Sequence, residues 1–121
     1  MRLVALRGAN TVQANEPGAI VAATEELMRA LLERNRLTAA DLVSCLFTLT
    51  ADLDAEFPAV AAREMGLSRV PLMCAREIPV PGSLPRVVRV LVHCYPPEGT
   101  EPQHVYLGEA VRLRADLQGA Q

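Results

Sequence analysis

The stretch VVRVLVHCY, residues 87–95, decides the fold of this chain. Its aliphatic and β-branched residues are typical of a β-strand. Apolar side chains occupy both faces of this strand, with Val88, Val90 and Val92 on one face and Val87 and Leu91 on the other. A strand that is apolar on both faces is typical of the centre of a sheet. We therefore predict a sheet built around residues 87–95.

One charged residue, Arg89, lies in the middle of this apolar strand. A guanidinium that is removed from water needs a carboxylate partner. The protein could supply that partner as a structural ion pair, or a bound ligand could supply it. Residues 87–95 alone favour neither possibility over the other.

The segment from Asn15 onward predicts an amphipathic helix that ends near Asn35. Its apolar side chains recur with helical spacing, and they are Ile20, Leu27, Met28 and Leu31. Asn15 is a candidate for the N-cap, and Pro17 suits the first turn. Glu25 and Arg29 are spaced to form an ion pair on the outer face of the helix.

The remaining segments complete one mixed sheet. We expect a strand at residues 3–12 with a break at 8–10, a strand at 43–50 with Val43, Cys45, Phe47 and Leu49 on one face, and a short buried strand at 70–74. A second helix is expected at 58–65, where Gly66 stops it, and a cap is expected from Thr38 with Asp41. A rigid loop at 79–85, a short extended piece at 104–107, and a helical turn and tail after residue 109 complete the chain. Strands and helices in this order predict a single α+β domain over residues 1–121, with the helices packed on one side of the sheet.

Composition excludes several classes of function. Half of the 121 residues are apolar, only 3% are aromatic, and the net charge is −2 without any charged block. Nothing in this balance attracts nucleic acid or an anionic membrane, and the high apolar fraction hints at an oligomer. The start of the chain is not typical of a signal peptide, and no apolar run is long enough to cross a bilayer. Three widely spaced cysteines favour a reducing cytoplasm over a disulfide or metal framework.

Several polar residues are candidates for binding an anion. All twelve basic residues are arginines, which suit carboxylates because they donate paired hydrogen bonds. The candidates outside residues 87–95 are Arg7 beside Gly8, Arg63 on the second helix, Cys74 and Glu77 before the proline-rich loop, and Tyr106 near the end. Taken alone, most of these residues are more typical of an ordinary surface or core position. Because the sequence has no nucleophile–base motif, phosphate loop or dinucleotide motif, this inventory favours binding of a small polycarboxylate.

At these same positions the sequence resembles the monofunctional chorismate mutases of the trimeric class. The matching blocks are LRGANTV at 6–12, ADLDAEFPA at 51–59, RE at 63–64, VPLMCARE at 70–77, RV at 89–90, HVYL at 104–107 and EAVRLRADL at 109–117. Single blocks are weak, but all of them in order over nearly the whole chain are specific. The chain departs from the family pattern at Val60, where lysine is frequent, and at Gln103, where a basic residue is usual.

The resemblance implies a fold, an assembly and an activity. Three subunits would join their sheets into a barrel-like core, with each active site between neighbouring subunits of the homotrimer. The activity would be that of an isomerase (an intramolecular transferase) that rearranges chorismate to prephenate without a cofactor, in phenylalanine and tyrosine biosynthesis. An alternative from another class is a non-catalytic trimeric module that binds an aromatic-pathway carboxylate, and a further one is a small trimeric deaminase or hydrolase.

The resemblance also implies the roles of individual residues. Arg89 would contact the ether oxygen of the breaking bond, and Glu77 would act with it as a catalytic residue. Substrate-binding roles fall to Arg7, Phe57, Arg63, Met73, Cys74 and Tyr106. The tail around Leu113 and Arg114 would cover the site.

Overall fold

A five-stranded mixed sheet forms the centre of the computed structural model, which describes residues 1–113. The strands are β1 (Val4–Thr11), β2 (Leu42–Leu49), β3 (Leu72–Arg76), β4 (Val87–Cys94) and β5 (Val105–Tyr106), and the α-helices are α1 (Pro17–Arg34) and α2 (Ala59–Glu64). Short 3₁₀ turns occupy Ala39–Asp41 and Gly108–Arg112. The strand order is β3-β2-β4-β1-β5, so β4 is the central strand, as residues 87–95 predict. Strand β4 runs antiparallel to both neighbours, whereas β3 and β5 pair in parallel at the edges.

The two faces of β4 are covered unequally, which corrects the prediction that both are buried. Val88, Val90 and Val92 are buried with the apolar residues of the helices. On the opposite face Val87 is buried against Ala110, but Arg89 and Leu91 are only half-buried. We call this second side, which carries Arg7, Thr48, Arg89, Leu91 and Tyr106, the open face. It is open because both helices pack on the other side, as the α+β pattern predicts.

Strand β1 runs without interruption through Gly8, where the sequence predicts a break. The glycine serves a close approach instead. A Cβ at Gly8 would lie 2.9 Å from the Cδ1 atoms of both Leu27 and Leu31 and 3.3 Å from Cγ1 of Val90. The missing side chain therefore lets α1 pack directly on β1 and β4.

We expect Gly8→Ala to lower the free energy of unfolding by about 1–3 kcal/mol, because the added methyl overpacks this contact. Gly18→Ala is the matched control, since a Cβ at Gly18 meets nothing within 4 Å. In helix α1 that change should instead raise the free energy of unfolding by about 0.5–1 kcal/mol. Denaturant titration of both variants at one protein concentration measures the difference. Equal effects of the two substitutions would contradict the close-approach explanation.

Helix α1 confirms the predicted amphipathic segment, but its N-terminus differs from the prediction. Pro17 occupies the first turn, and Arg29 Nη2 lies 3.0 Å from Glu25 Oε1 as the spacing predicts. Asn15 is not the N-cap: its side-chain oxygen accepts hydrogen bonds from the backbone N–H groups of Asp54 and Ala55, each at 3.0 Å. Asn15 therefore fixes the loop that precedes α2, a long-range role that local sequence does not reveal.

Strands β2 and β3 also differ from their predicted form. A register shift between Leu42 and Ser44 turns Val43 outward, so Val43 does not share the buried face of Cys45 and Phe47. Strand β3 begins two residues later than predicted and is mostly exposed, because it is the edge strand of the sheet. The prediction of a buried strand at 70–74 is therefore wrong.

The connecting elements follow the sequence signals. Asp41 Oδ2 accepts a hydrogen bond from the Thr38 backbone N–H at 2.8 Å, which confirms the predicted cap. Helix α2 ends before Gly66, whose φ of 88° suits glycine. Cys45 and Cys94 lie in the core, and burial raises the pKa of the Cys45 thiol to about 11. Within residues 1–113, none of the helices has the length and apolar character needed to cross a membrane.

Candidate active site

A cavity of about 360 Å³ lies on the open face, where four strands meet. Three of the predicted site residues, Arg7, Arg89 and Tyr106, line it together. The other lining residues are Gly8, Ala9, Leu46, Thr48, Val90 and Leu91. The cavity therefore combines an apolar floor with two guanidinium groups and a phenol, and its volume falls in the range of small-molecule sites.

Arg89 and Glu77 form an ion pair at this cavity. The Arg89 Nε atom lies 2.9 Å from Glu77 Oε2, and the two side chains are 39% and 16% exposed. The Nε atom is buried, yet its N–H is not aligned for a hydrogen bond in the described chain. The contact is therefore a charge pair at short distance. The strand at residues 87–95 left open whether the protein or a ligand supplies the carboxylate partner of Arg89, and here the protein supplies it.

The sheet positions Glu77 as well as Arg89. Strand β3 ends at Arg76, which pairs with Leu49 on β2. The next backbone N–H, that of Glu77, donates to the Leu49 carbonyl at 3.0 Å, so the pairing with β2 extends one residue further. The side-chain alternation of a strand then directs Glu77 to the same side as Met73 and Ala75, which is the open face.

Arg7 and Tyr106 are brought together by the pairing of β1 with β5. Ala9 is the parallel partner of Tyr106, and the backbone N–H of Arg7 donates to His104 Nδ1 at 3.0 Å. Burial and the positive charge of Arg7 lower the pKa of His104, which favours the neutral ring that this bond requires. Arg7 itself lies within β1, which continues through the break predicted at 8–10.

A buried asparagine fixes the approach to β5. The Asn35 side chain donates to the Gln103 carbonyl at 2.9 Å and accepts from the Gln103 N–H at 2.8 Å. Gln103, where the family that the sequence resembles usually has a basic residue, therefore helps to place Tyr106 through its backbone.

The remaining predicted site residues do not join this cavity within one chain. Phe57 and Cys74 line a separate depression of about 350 Å³, together with Arg76. Phe57 is 66% exposed, and Arg63 is an exposed residue of α2. Met73 faces the open side at the edge of the sheet and is 64% exposed. Arg7, Arg89 and Tyr106, with Glu77 paired to Arg89, thus form one group at this cavity, and Phe57 and Cys74 form a second group at the separate depression. Arg63 and Met73 line neither of these two cavities.

Two further residues of the site were not predicted from the sequence. Thr48 lines the cavity and donates a hydrogen bond to Glu77 Oε2 at 2.7 Å. Arg112 lines, with Arg89 and Leu113, an adjoining cavity of about 440 Å³. Leu113 belongs to the tail that the resemblance places over the site, and Arg114 lies outside the described residues. Sequence reasoning missed Thr48 and Arg112 because a threonine in a strand and an arginine near the end of the sequence do not by themselves indicate a binding site.

The fold and this cavity define a class of protein: an α+β protein with a cavity lined by arginines at the open face of its sheet. Comparisons with known proteins narrow that class. Residues 3–117 match the family described as chorismate mutase type I. Two curated relatives are named chorismate mutase AroH: one from Thermus thermophilus is 52% identical and covers 96% of this chain and 97% of its own length. The other, from Bacillus subtilis, is 38% identical over 97% of this chain and 94% of its own length.

A solved structure agrees with these relatives. The structure of a chorismate mutase from Clostridium thermocellum matches with a TM-score of 0.86 and 45% identity over 90% of this chain and 98% of that chain. The chain belongs to the type I chorismate mutase family. It is an isomerase with chorismate mutase activity, and the alternative of a non-catalytic binding module is not favoured because these relatives are named as enzymes.

Proposed function

We propose that the chain rearranges chorismate to prephenate at the cavity of the open face, with Arg89 and Glu77 as the catalytic residues. The step would belong to the shikimate pathway of aromatic amino acid biosynthesis. The observation that carries the proposal is the Arg89–Glu77 pair, at 2.9 Å, beside a cavity that Arg7 and Tyr106 also line. It is an arrangement of fixed charges.

The rearrangement needs this kind of site. A C–O bond breaks while a C–C bond forms, and no proton moves in the step. The enzyme must hold a flexible dianion in its reactive shape. It must also place fixed positive charge where the ether oxygen gains negative charge. The Arg89 guanidinium suits this second task because its Nε faces Glu77 while the group lines the cavity. The Glu77 carboxylate complements the positive charge that spreads onto the ring.

The other site residues would bind the substrate. Arg7 and Tyr106 line the cavity together with Arg89, where they can hold the side-chain carboxylate of chorismate. Phe57, Arg63, Met73 and Cys74 would complete the wall of the site. Because the sheet separates Phe57 and Cys74 from Arg89 within one chain, we propose that these residues reach the cavity from a neighbouring copy.

This division of the residues supports a homotrimer with its sites between subunits. The open face leaves Leu46 and Leu91 only half-buried in the single chain, although 50% of the sequence is apolar. Joining three sheets would cover these side chains and bring the second group to the first. We further propose that residues 1–121 form one domain and that the protein works in the cytoplasm, where the free thiols of Cys45, Cys74 and Cys94 suit a reducing environment.

Mixing two impaired variants tests the shared site. We expect Arg89→Ala and Arg63→Ala each to lower kcat/KM for chorismate. After joint unfolding and refolding at equal amounts, about a quarter of the sites should combine an intact Arg89 from one copy with an intact Arg63 from the next. Formation of prephenate by the mixture should therefore rise well above the sum of the two separate variants.

A matched mixture distinguishes a site shared between subunits from a gain in activity that is caused by refolding alone. Arg89→Ala mixed with a variant that carries both Arg89→Ala and Arg63→Ala cannot form an intact site and should recover no activity. If the first mixture also recovers none, each site lies within one chain. If Arg63→Ala alone is fully active, Arg63 does not belong to the site.

A further inference from the structure

We propose that Thr48 is a positioning residue for Glu77, and through it for Arg89. Its hydroxyl donates to Glu77 Oε2 at 2.7 Å, and the same oxygen lies 2.9 Å from Arg89 Nε. One carboxylate oxygen therefore contacts both groups. The inference rests on the proposed catalytic role of the Arg89–Glu77 pair, to which it adds a third residue.

The sheet places Thr48 between the two charged residues. On one side β2 pairs antiparallel with β4, and Thr48 is the direct partner of Arg89. On the other side β2 pairs in parallel with β3, where Thr48 is the partner of Ala75. Glu77 lies two residues beyond Ala75 and so on the same face of the sheet. A β-branched side chain has few χ1 rotamers, so the backbone of β2 largely determines where the hydroxyl points.

The hydrogen bond supplies a constraint that the ion pair lacks. The Arg89 Nε–H is not aligned on the carboxylate, so the charge pair alone leaves Glu77 free to turn about its terminal torsion. If Glu77 turned, its carboxylate could bind the terminal nitrogens of Arg89. Those nitrogens would then no longer be available to the substrate. Thr48 opposes this rotation because its hydroxyl holds Oε2 at the Nε end of the guanidinium.

The test compares Thr48→Val with Thr48→Ser. Valine keeps the shape and strand preference of threonine but has no hydroxyl, whereas serine keeps the donor. A hydrogen bond to a charged group is worth roughly 1.5–3 kcal/mol, so Thr48→Val should lower kcat about 10- to 100-fold. KM should change less than about threefold, because the effect lies on the positioned charge and not on ground-state binding. Thr48→Ser should stay within about threefold of the wild type if the donor is what matters.

A double-mutant cycle separates positioning from a structural role. In the Glu77→Ala background Thr48 has no carboxylate to hold, so adding Thr48→Val should lower kcat no further. Thr100→Val, the same chemical change in the loop after β4, is the control and should leave kcat unchanged. Thermal unfolding of each variant reports whether the sheet is intact, and Thr48→Ala replaces Thr48→Val if the valine variant does not fold.

Three results would overturn the inference. The first is a Thr48→Val enzyme with wild-type kcat while Glu77→Ala is strongly impaired. The second is an equal loss from Thr48→Val with and without Glu77, which indicates a structural role. The third is a Thr48→Ser enzyme as impaired as Thr48→Val. A fully active Glu77→Ala enzyme would instead overturn the proposed function of the pair, and the need for a positioning group with it.

Discussion

Replacing Arg89 with alanine should reduce kcat by a factor of about 100 to 1,000, the usual loss when a preorganised donor to a developing oxyanion is removed. The reason lies in the position of the guanidinium. Arg89 is on the central strand, its backbone is paired on both sides, and its Nε faces Glu77. The charge is therefore in place before the substrate binds and needs little reorganisation during the reaction.

Two substitutions serve as controls for Arg89→Ala. Arg89→Lys keeps the charge but loses the planar fork that can contact a carboxylate and the ether oxygen together, so it should recover only part of the activity. Arg34→Ala removes an exposed arginine at the end of α1 and should leave kcat unchanged. Initial rates of prephenate formation at saturating chorismate measure all three. A fall of only a few-fold for Arg89→Ala would reject the proposed role.

Replacing Glu77 with alanine should reduce kcat about 100-fold. The substitution removes the partner of Arg89 Nε, leaves a half-buried positive charge unpaired and takes away the carboxylate that complements charge on the ring. Glu77→Gln should be impaired less than Glu77→Ala, because its amide oxygen can still accept the hydrogen bond from Thr48.

The exposed pair on α1 provides the matched control for Glu77. Glu25→Ala also removes the glutamate of a Glu–Arg pair. Its separation from Arg29, 3.0 Å, is similar, but the pair lies away from the cavity, so the change should not affect kcat. Steady-state kinetics with separate determination of kcat and KM measures these variants. If Glu77→Gln has full activity, the negative charge of Glu77 has no part in the reaction, and only its shape and hydrogen bonds matter.

The sequence predicts those parts of the fold that depend on local patterns. The periodicity of α1, the apolar run of β4 and the Thr38–Asp41 cap each lie within one segment, and each appears in the structure. The errors concern contacts between distant segments. The sequence predicts a break at Gly8 because the close approach of this residue to α1 is a tertiary contact. It predicts that β3 is buried because no local pattern indicates that the strand lies at the edge of the sheet.

The candidate site was predictable to the extent that the family resemblance supplied it. The residues alone marked Arg89 as unusual but gave it no partner. The structure adds that Glu77 is that partner and that Arg7 and Tyr106 share the cavity. Thr48 was missed because a threonine in a strand is ordinary until its hydroxyl is seen at a carboxylate. The proposed contribution of Phe57 and Arg63 would come from a second chain, and one sequence does not show how copies meet.

The alignment of three adjacent strands also limits how this protein can change in length. A single residue inserted into β2 or β4 would reverse the side-chain alternation of that strand. In β2, Thr48 would then point into the apolar layer and a phenylalanine into the cavity; in β4, the same would happen to Arg89 and a valine. Deletions there would have the same effect. The loop between β4 and β5 has no such alternation, and next to β5 it is held at Gln103 and His104. We therefore expect length variation among homologues to accumulate before these two residues and to be absent from the strands.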